Sequence, residues 1–343
     1  MRFPAISIGI RAMAAQRGYA TKAKVPLLLT PKEYMKLPKS SVVPLDCSWH
    51  MPNSDRSALA EYLAGPRLPH ARRFDLDEIA ELEPDKNPLG LTHMIPSKDK
   101  FKEECEKIGV TDETHVVLYD TIGVFSSPRG AYTFKAFGHE NVSILDGGLP
   151  RWIDEGGEVE MGDVGDFGEV EYNVKAQDKG LVRSYEQVVK NSKKSPDEPD
   201  AEVVLDHRSL ARFSGEAPEP RAGLASGHIP NSLPCPFTSY LEPATDRKPY
   251  SSYKSLPELR EVLVQAVGGE AKWKELEGTE GRGLVFTCGS GMTAAIGWLA
   301  NEAVKEGMGK GAGKTSIYDE SWTGYALRGE SKIEKGTKGT TSA

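Results

Sequence analysis

Cysteine is scarce in this chain, and what there is suits neither metal nor disulfide chemistry. Cys47, Cys105, Cys235 and Cys288 are scattered over 343 residues, with no CxxC pair and no Cys/His cluster. That spacing excludes a disulfide framework and a structural zinc, and it points to a reducing compartment. No metal and no cofactor is expected. No apolar run approaches the ~20 residues that a membrane span needs, so no membrane partner is expected. Positive charge is not in excess either. With 43 Lys and Arg against 50 Asp and Glu the net charge is −7, which argues against nucleic acid as a direct partner.

Acidic residues are missing from the start of the chain. The first is Glu33, whereas Arg2, Arg11, Arg17, Lys22 and Lys24 come before it, interleaved with Phe3, Ile6, Ile8, Ile10 and Met13. This is the composition of a mitochondrial transit peptide, and Arg17-Gly18-Tyr19 resembles a matrix-peptidase cleavage pattern. Residues 1–19 are therefore expected to be removed on the way to the matrix. A disordered basic arm is the plainer alternative, and a start at Met13 would give a second, cytosolic pool. No long apolar core of a secretory signal is present.

What the chain does have is a strand that ends on a thiol. Leu284, Val285 and Phe286 form a short apolar run suited to a buried parallel strand. The run leads into Cys288, Gly289, Ser290, Gly291, Met292 and Thr293. Then Ile296, Leu299, Ala300 and Ala303 repeat at helical spacing, with Gly307 placed to stop the helix. A glycine-rich turn between a strand and a helix can aim backbone N–H groups at an anion, and a thiol held there should ionise readily. A lone cysteine would otherwise read as an inert core residue. The arginine that a Cys-based phosphatase needs to close the loop is absent, and Ala294 stands in its place.

The sequence also repeats itself. Leu45-Asp46 is echoed by Leu205-Asp206, Leu68-Pro69-His70-Ala71 by Ile229-Pro230-Asn231-Ser232, Val117–Asp120 by Val285–Cys288, and Ser143–Asp146 by Ser316–Asp319. The partners lie 160 to 173 residues apart, and the separation grows along the chain. That is the pattern of a duplicated domain with loop insertions. Each copy alternates short strands with helices, including a helix opened by Pro128. The fold class is therefore α/β, with two tandem units, each a doubly wound parallel sheet with helices on both faces. The units are placed at 25–157 and 181–331, joined by an acidic, glycine-rich linker at 158–180. Residues 193–199 and Gly307–Lys314 read as loops and residues 332–343 as a polar tail. Asp120 takes the place of Cys288 in the first copy, which should leave that copy non-catalytic.

Around the cysteine, Arg212 and Arg221 lie in a segment read as irregular, after the strand Val203–Asp206. A guanidinium can hold a carboxylate through two N–H bonds, although pairing with Glu216 or Glu219 on the surface explains them equally well. Asp77 and His93 in the first unit, with Ser290 in the Cys loop, could form a proton relay across the unit boundary. Spacing alone does not bring them together, and a structural histidine is the simpler reading. His50, His70, His115, His139, His207 and His228 form no constellation.

Taken as a set, these motifs are similar to those of the tandem-domain rhodanese-like sulfurtransferases, and most closely of the 3-mercaptopyruvate class. The likeness runs from about Leu45 to Arg328. It is carried by Phe137-Gly138-His139, Leu145-Asp146-Gly147-Gly148 with Trp152, Gly215–Arg221, Gly227-His228-Ile229-Pro230, Cys288–Thr293, and Tyr318-Asp319 with Trp322. The resemblance implies two rhodanese-like domains with one active site on the second and walls from both. It implies a persulfide on Cys288, substrate binding by Arg212, Arg221, Gly289, Gly291, Met292 and Thr293, and a triad of Asp77, His93 and Ser290. A small-molecule sulfur donor and thioredoxin, another thiol or cyanide as acceptor are the expected partners. Relatives specialised for thiosulfate tend to carry Arg-Lys after the cysteine, which is missing here. Thiosulfate transfer, and persulfide carriage to a tRNA- or cofactor-modifying partner, remain the rival expectations.

Overall fold

Short, fully apolar strands that alternate with helices build two separate parallel sheets. The computed structural model describes residues 25–336. The expected transit peptide with its cut after Tyr19, and residues 337–343 of the polar tail, lie outside the described residues. The first sheet contains β1 (Leu28–Leu29), β2 (Val42–Asp46), β3 (Arg72–Arg73), β4 (His115–Tyr119) and β5 (Val142–Leu145) in the order β1-β5-β4-β2-β3. The second contains β6 (Val182–Arg183), β7 (Val203–Asp206), β8 (Ser232–Pro234), β11 (Gly278–Thr287) and β12 (Ala312–Tyr318) in the order β6-β12-β11-β7-β8. Every pairing in both sheets is parallel, and equivalent strands occupy equivalent places. The repeat seen in the sequence is therefore a repeat of topology. It extends to backbone conformation: His70 and Asn231, matched by the repeat, both have positive φ, at 58° and 66°.

Alternation along the central strands shows why helices are needed on both faces. In β4, Val116 and Leu118 enter one core cluster with Phe101 and Phe134, while Val117 and Tyr119 enter another with Tyr62, Leu149 and Trp152. In β11, Leu284 and Phe286 face the first of these clusters, and Val285 faces a third with Tyr185, Trp322 and Tyr325. One cluster is thus common to both sheets. The helices that follow the two central loops, Ser127–Ala136 and Ala294–Met308, meet in it. The Tyr132 ring meets Trp298 edge-on at 5.0 Å, a contact worth ~0.5–1.5 kcal/mol beyond the area it buries. Between β8 and β11 a short antiparallel pair, β9 (Leu241–Glu242) with β10 (Ser252–Tyr253), reaches across to the first sheet. There Tyr253 N–H donates to Asp146 Oδ1 at 2.8 Å. Residues 158–180 carry no helix; near their start Arg67, fully buried, donates to the Gly162 and Asp163 carbonyls at 2.8 and 3.0 Å.

Two boundaries differ from the sequence reading. Gly307 does not end its helix, which runs on to Met308 and is capped by Gly309 at φ 65°. At 307 the helix passes close to the second domain's Leu256, where a Cβ would fall 2.4 Å from the Cδ1 methyl and move that side chain. Gly307–Lys314 is accordingly not a loop. Its first two residues finish the helix and Ala312–Lys314 begin β12, pinned because buried Asn301 accepts from Ala312 N–H at 2.8 Å. The segment after β7 is also more regular than expected, for Arg212 sits in a short helix, Leu210–Ser214, that ends at Gly215.

Candidate active site

Strand β11 delivers Cys288 to the carboxyl edge of the second sheet, where ligands of such sheets bind. The residue is 1% exposed, and three carbonyls of its loop are held by groups outside the loop. Trp322 N–H donates to the Cys288 carbonyl at 2.9 Å. Thr323 donates to the Gly289 carbonyl through both N–H, at 3.0 Å, and Oγ1, at 2.7 Å. Arg129 Nη1 donates to the Gly291 carbonyl at 3.2 Å. In a trans peptide the N–H points opposite the C=O. Fixing these carbonyls outward therefore turns the N–H groups of Gly289, Ser290 and Met292 the other way. Among the described residues, the N–H groups of Gly289 through Thr293 donate to no protein acceptor. Five unused donors followed by the N-terminus of a 15-residue helix make an anion cradle beside the sulfur. Gly289, Ser290 and Thr293 are partly exposed, whereas Met292 is packed into the shared core.

The first copy shows what such a cradle holds. The Asp120 carboxylate, itself fully buried, fills its own loop. Oδ1 accepts from Ile122 and Gly123 N–H, both at 3.0 Å, and Oδ2 accepts from Phe125, Ser126 and Ser127 N–H at 2.9–3.1 Å and from Ser127 Oγ at 2.8 Å.

The proposed relay residues are brought together although they come from different copies. His93 Nδ1 and Ser290 Oγ are 3.1 Å apart, and His93 Nε2 lies 3.0 Å from Asp77 Oδ1. Trp49 Nε1 donates to Asp77 Oδ2 at 2.9 Å, and its ring meets His93 edge-on at 4.7 Å. Burial raises the Asp77 carboxyl, but the adjoining His93 ring, the Trp49 N–H and Arg73 outweigh it and leave the pKa lowered. His93 has φ 64°, in the left-handed region that L side chains rarely adopt.

Arg212 and Arg221 both overhang the loop. A Cβ on Gly289 would lie 3.3 Å from Arg212 Nη2 and 3.9 Å from Arg221 Nη1. Pairing with an acid also holds, since Arg212 Nε donates to Glu219 Oε1 at 3.2 Å and Nη2 contacts Oε2. Glu219 is buried and also binds Arg208, which is paired with Asp206. The five charges leave one positive in excess facing the cysteine. Arg221 Nη2 donates to Thr92 Oγ1 at 3.2 Å, beside His93.

Four contributors escaped the sequence reading: Trp49, Arg129, Ser321 and Thr323. Ser321 Oγ accepts from Cys288 N–H at 3.2 Å and donates to the Tyr318 carbonyl at 2.8 Å. It could have been found by extending the Ser143–Asp146 match two residues, which pairs it with Gly148. The two share positive φ, 50° and 55°. Three of the histidines outside the relay sit in the structure as buried, hydrogen-bonded rings. Burial lowers the His115, His139 and His207 rings to about 4, and each is hydrogen-bonded within its own copy.

The profile of the rhodanese-like domain matches residues 30–155. The chain is 35% identical to the probable 3-mercaptopyruvate sulfurtransferase of Schizosaccharomyces pombe over 90% of this chain and 96% of that one. The chain belongs to the rhodanese-like sulfurtransferase family. The mitochondrial thiosulfate/3-mercaptopyruvate sulfurtransferase 1 of Arabidopsis thaliana is 30% identical over 96% of this chain and 83% of its own. Among solved structures, the Tum1 protein of Saccharomyces cerevisiae superposes with a TM-score of 0.75 at 28% identity, over 91% of this chain and 99% of that one. As a rhodanese-like sulfurtransferase the chain is a transferase with two α/β domains. Relatives of this kind use small-molecule sulfur donors and thiol acceptors.

Proposed function

We propose that the chain takes sulfane sulfur from 3-mercaptopyruvate, carries it as a persulfide on Cys288 and passes it to a thiol such as thioredoxin, or to cyanide. The supporting observation is the pairing of an amide cradle at Cys288, its N–H groups without a protein acceptor among the described residues, with two arginines over Gly289. The cradle suits the charge of a thiolate or persulfide, as preorganised donors suit an oxyanion. Arg212 and Arg221 suit the donor's carboxylate and neighbouring carbonyl. The Cys288 thiolate attacks the donor sulfur, an S–S bond forms and the C–S bond breaks. The electron pair passes to carbon, and Asp77, His93 and Ser290 deliver the proton that turns the pyruvate enolate into pyruvate. Catalysis belongs to the second domain, 181–331; the first, 25–157, supplies the relay and has its own cradle occupied by Asp120.

Cys288→Ser tests the reading. Pyruvate release should fall at least about a thousandfold, and mass spectrometry should find no sulfur atom gained after exposure to donor. Near-normal release would refute it. The second donor, thiosulfate, is favoured by the name of the Arabidopsis relative, and the ratio of kcat/KM values on the two donors decides between them. Loading of sulfur from a small molecule with no partner protein present rules out the carrier reading. The basic leader and the mitochondrial relative support a matrix location. The mass of the chain recovered from the organelle tests it, and a mature form retaining Met1 would count against cleavage.

A further inference from the structure

The domain without the thiol sends a buried cation into the site. Arg129, 2% exposed, follows Pro128 in the first turn of the helix Ser127–Ala136. Its guanidinium lies over the Tyr132 ring of its own helix, 5.6 Å from the centroid, and all three of its polar partners lie outside that helix. Nη1 donates to the Gly291 carbonyl at 3.2 Å, Nη2 donates to the His93 carbonyl, and Nη2 lies 2.7 Å from Asp319 Oδ1. Asp319 Oδ2 in turn accepts from Ile95 N–H at 2.7 Å, two residues beyond His93. One side chain thus grips the backbone of His93 and the backbone next to Ser290, the two residues whose side chains stand 3.1 Å apart across the domain boundary. Packing alone does not call for a charge here, because an apolar residue of similar volume fills a buried site at no greater cost. Unstrained backbone does not call for it either. His93 is held at φ 64°, and such a conformation persists only where the surroundings impose it. The Arg129 bond to its carbonyl and the Asp319 bond to Ile95 N–H bracket that residue on its C-terminal side.

We propose that Arg129 is a positioning residue for the proton relay, which fixes the distance between His93 and Ser290 without touching the substrate. The proposal rests on the sulfur-transfer reading above. Its consequence depends on the donor. With mercaptopyruvate the broken C–S bond leaves its electron pair on carbon, which must be protonated. With thiosulfate the S–S bond breaks, the pair leaves on sulfite, and no carbon needs a proton. Loss of Arg129 should therefore slow the first donor more than the second, which shares only the loop that Arg129 holds at the Gly291 carbonyl.

The test is kinetics of the full chain on both donors, with thermal melting as a check of the fold. Arg129→Gln combined with Asp319→Asn removes both buried charges together, and Arg129→Lys keeps the charge but not the planar fork. In the double variant kcat on mercaptopyruvate should fall at least about tenfold with KM within about threefold, and the loss on thiosulfate, which draws on the Cys288 loop but not on the relay, should be at least about threefold smaller. Arg129→Lys should restore only part of the loss. Equal losses on the two donors, or a mercaptopyruvate kcat within about twofold of the parent, would overturn the proposal. If the double variant does not fold, the donor ratio of Arg129→Lys decides the question by the same criteria. A parent chain that releases no pyruvate sinks the sulfur-transfer reading and this inference with it. A parent that does so, with equal losses in the variants, sinks the inference alone.

Discussion

Asp120 and Cys288 stand at the same place in two sheets of the same topology, and their loops use similar backbone to opposite ends. In the first loop five N–H groups and a hydroxyl close on the Asp120 carboxylate. In the second the N–H groups of five consecutive residues have no acceptor among the described residues. The difference also extends to the neighbours. Asp146 and Asp319, equivalent in the repeat, each accept a backbone N–H from the other domain, at 2.8 and 2.7 Å. Asp146 is paired with Arg151 of its own domain, whereas Asp319 is paired with Arg129 of the other. The Asp120 carboxylate is thus satisfied by its own loop, whereas the second loop is finished by groups from both domains. An anion cradle that carries its own carboxylate is a structural part. The second loop sets a similar row of amides beside a thiol in place of a carboxylate.

Emptying the first cradle should have the largest effect on this contrast. Asp120→Ala strips the acceptor from five buried N–H groups, and urea unfolding should show a loss of about 3 kcal/mol or more. Turnover per folded molecule should hold near the parent value. A loss below about 1 kcal/mol would mean that the carboxylate is not what holds the loop.

Asp146 offers a smaller effect with a pH signature. Burial pushes its carboxyl up to about 6, against the Tyr253 N–H and the Arg151 charge, which lower it. Between about pH 4 and 6 the folded chain therefore keeps a proton that the unfolded chain has released. The stability linked to that proton is lost as pH rises through 6. Asp146→Asn abolishes this titration, so its stability relative to the parent should improve by roughly 2–3 kcal/mol between pH 4 and 7. A difference that stays flat over that range would show that the group does not titrate there.

Ser321→Gly should do least. It gives the second domain the residue that the first has at Gly148, relieving a positive φ but removing the oxygen that accepts from Cys288 N–H. These changes oppose each other at ~1 kcal/mol each, so the melting temperature should hardly move. The rate on mercaptopyruvate should fall about two- to threefold, which steady-state kinetics can resolve. An unchanged rate would make Ser321 a turn residue only.

Much of this arrangement could be read from the sequence because it is local. A strand, two glycines and a helix around Cys288 sit in one short stretch, and the repeat is visible wherever apolar strands end on polar residues. Asp120 was legible as a residue unable to carry sulfur. Its role as the filling of a cradle was not, because that depends on where six donors point. Gly307 was misread because a helix stop and a close approach to Leu256 both suit glycine. Arg129 gave no signal at all: a basic residue after a helix-opening proline looks like a solvated surface charge until the second domain is laid against it. The nearness of Asp77, His93 and Ser290 was only an expectation for the same reason, since the domain interface that creates it has no sequence spacing.

The Asp120 loop has a lid as well as a filling. Ser251, just before β10, presses on Gly123 so closely that a Cβ there would fall 2.4 Å from the Ser251 carbonyl oxygen, and Ser251 Oγ accepts from Val124 N–H at 3.1 Å. A cysteine placed at position 120 would therefore meet this cover instead of a donor. Opening the first loop to a ligand would take at least two coordinated changes, one in the loop and one in the β9–β10 arm that covers it.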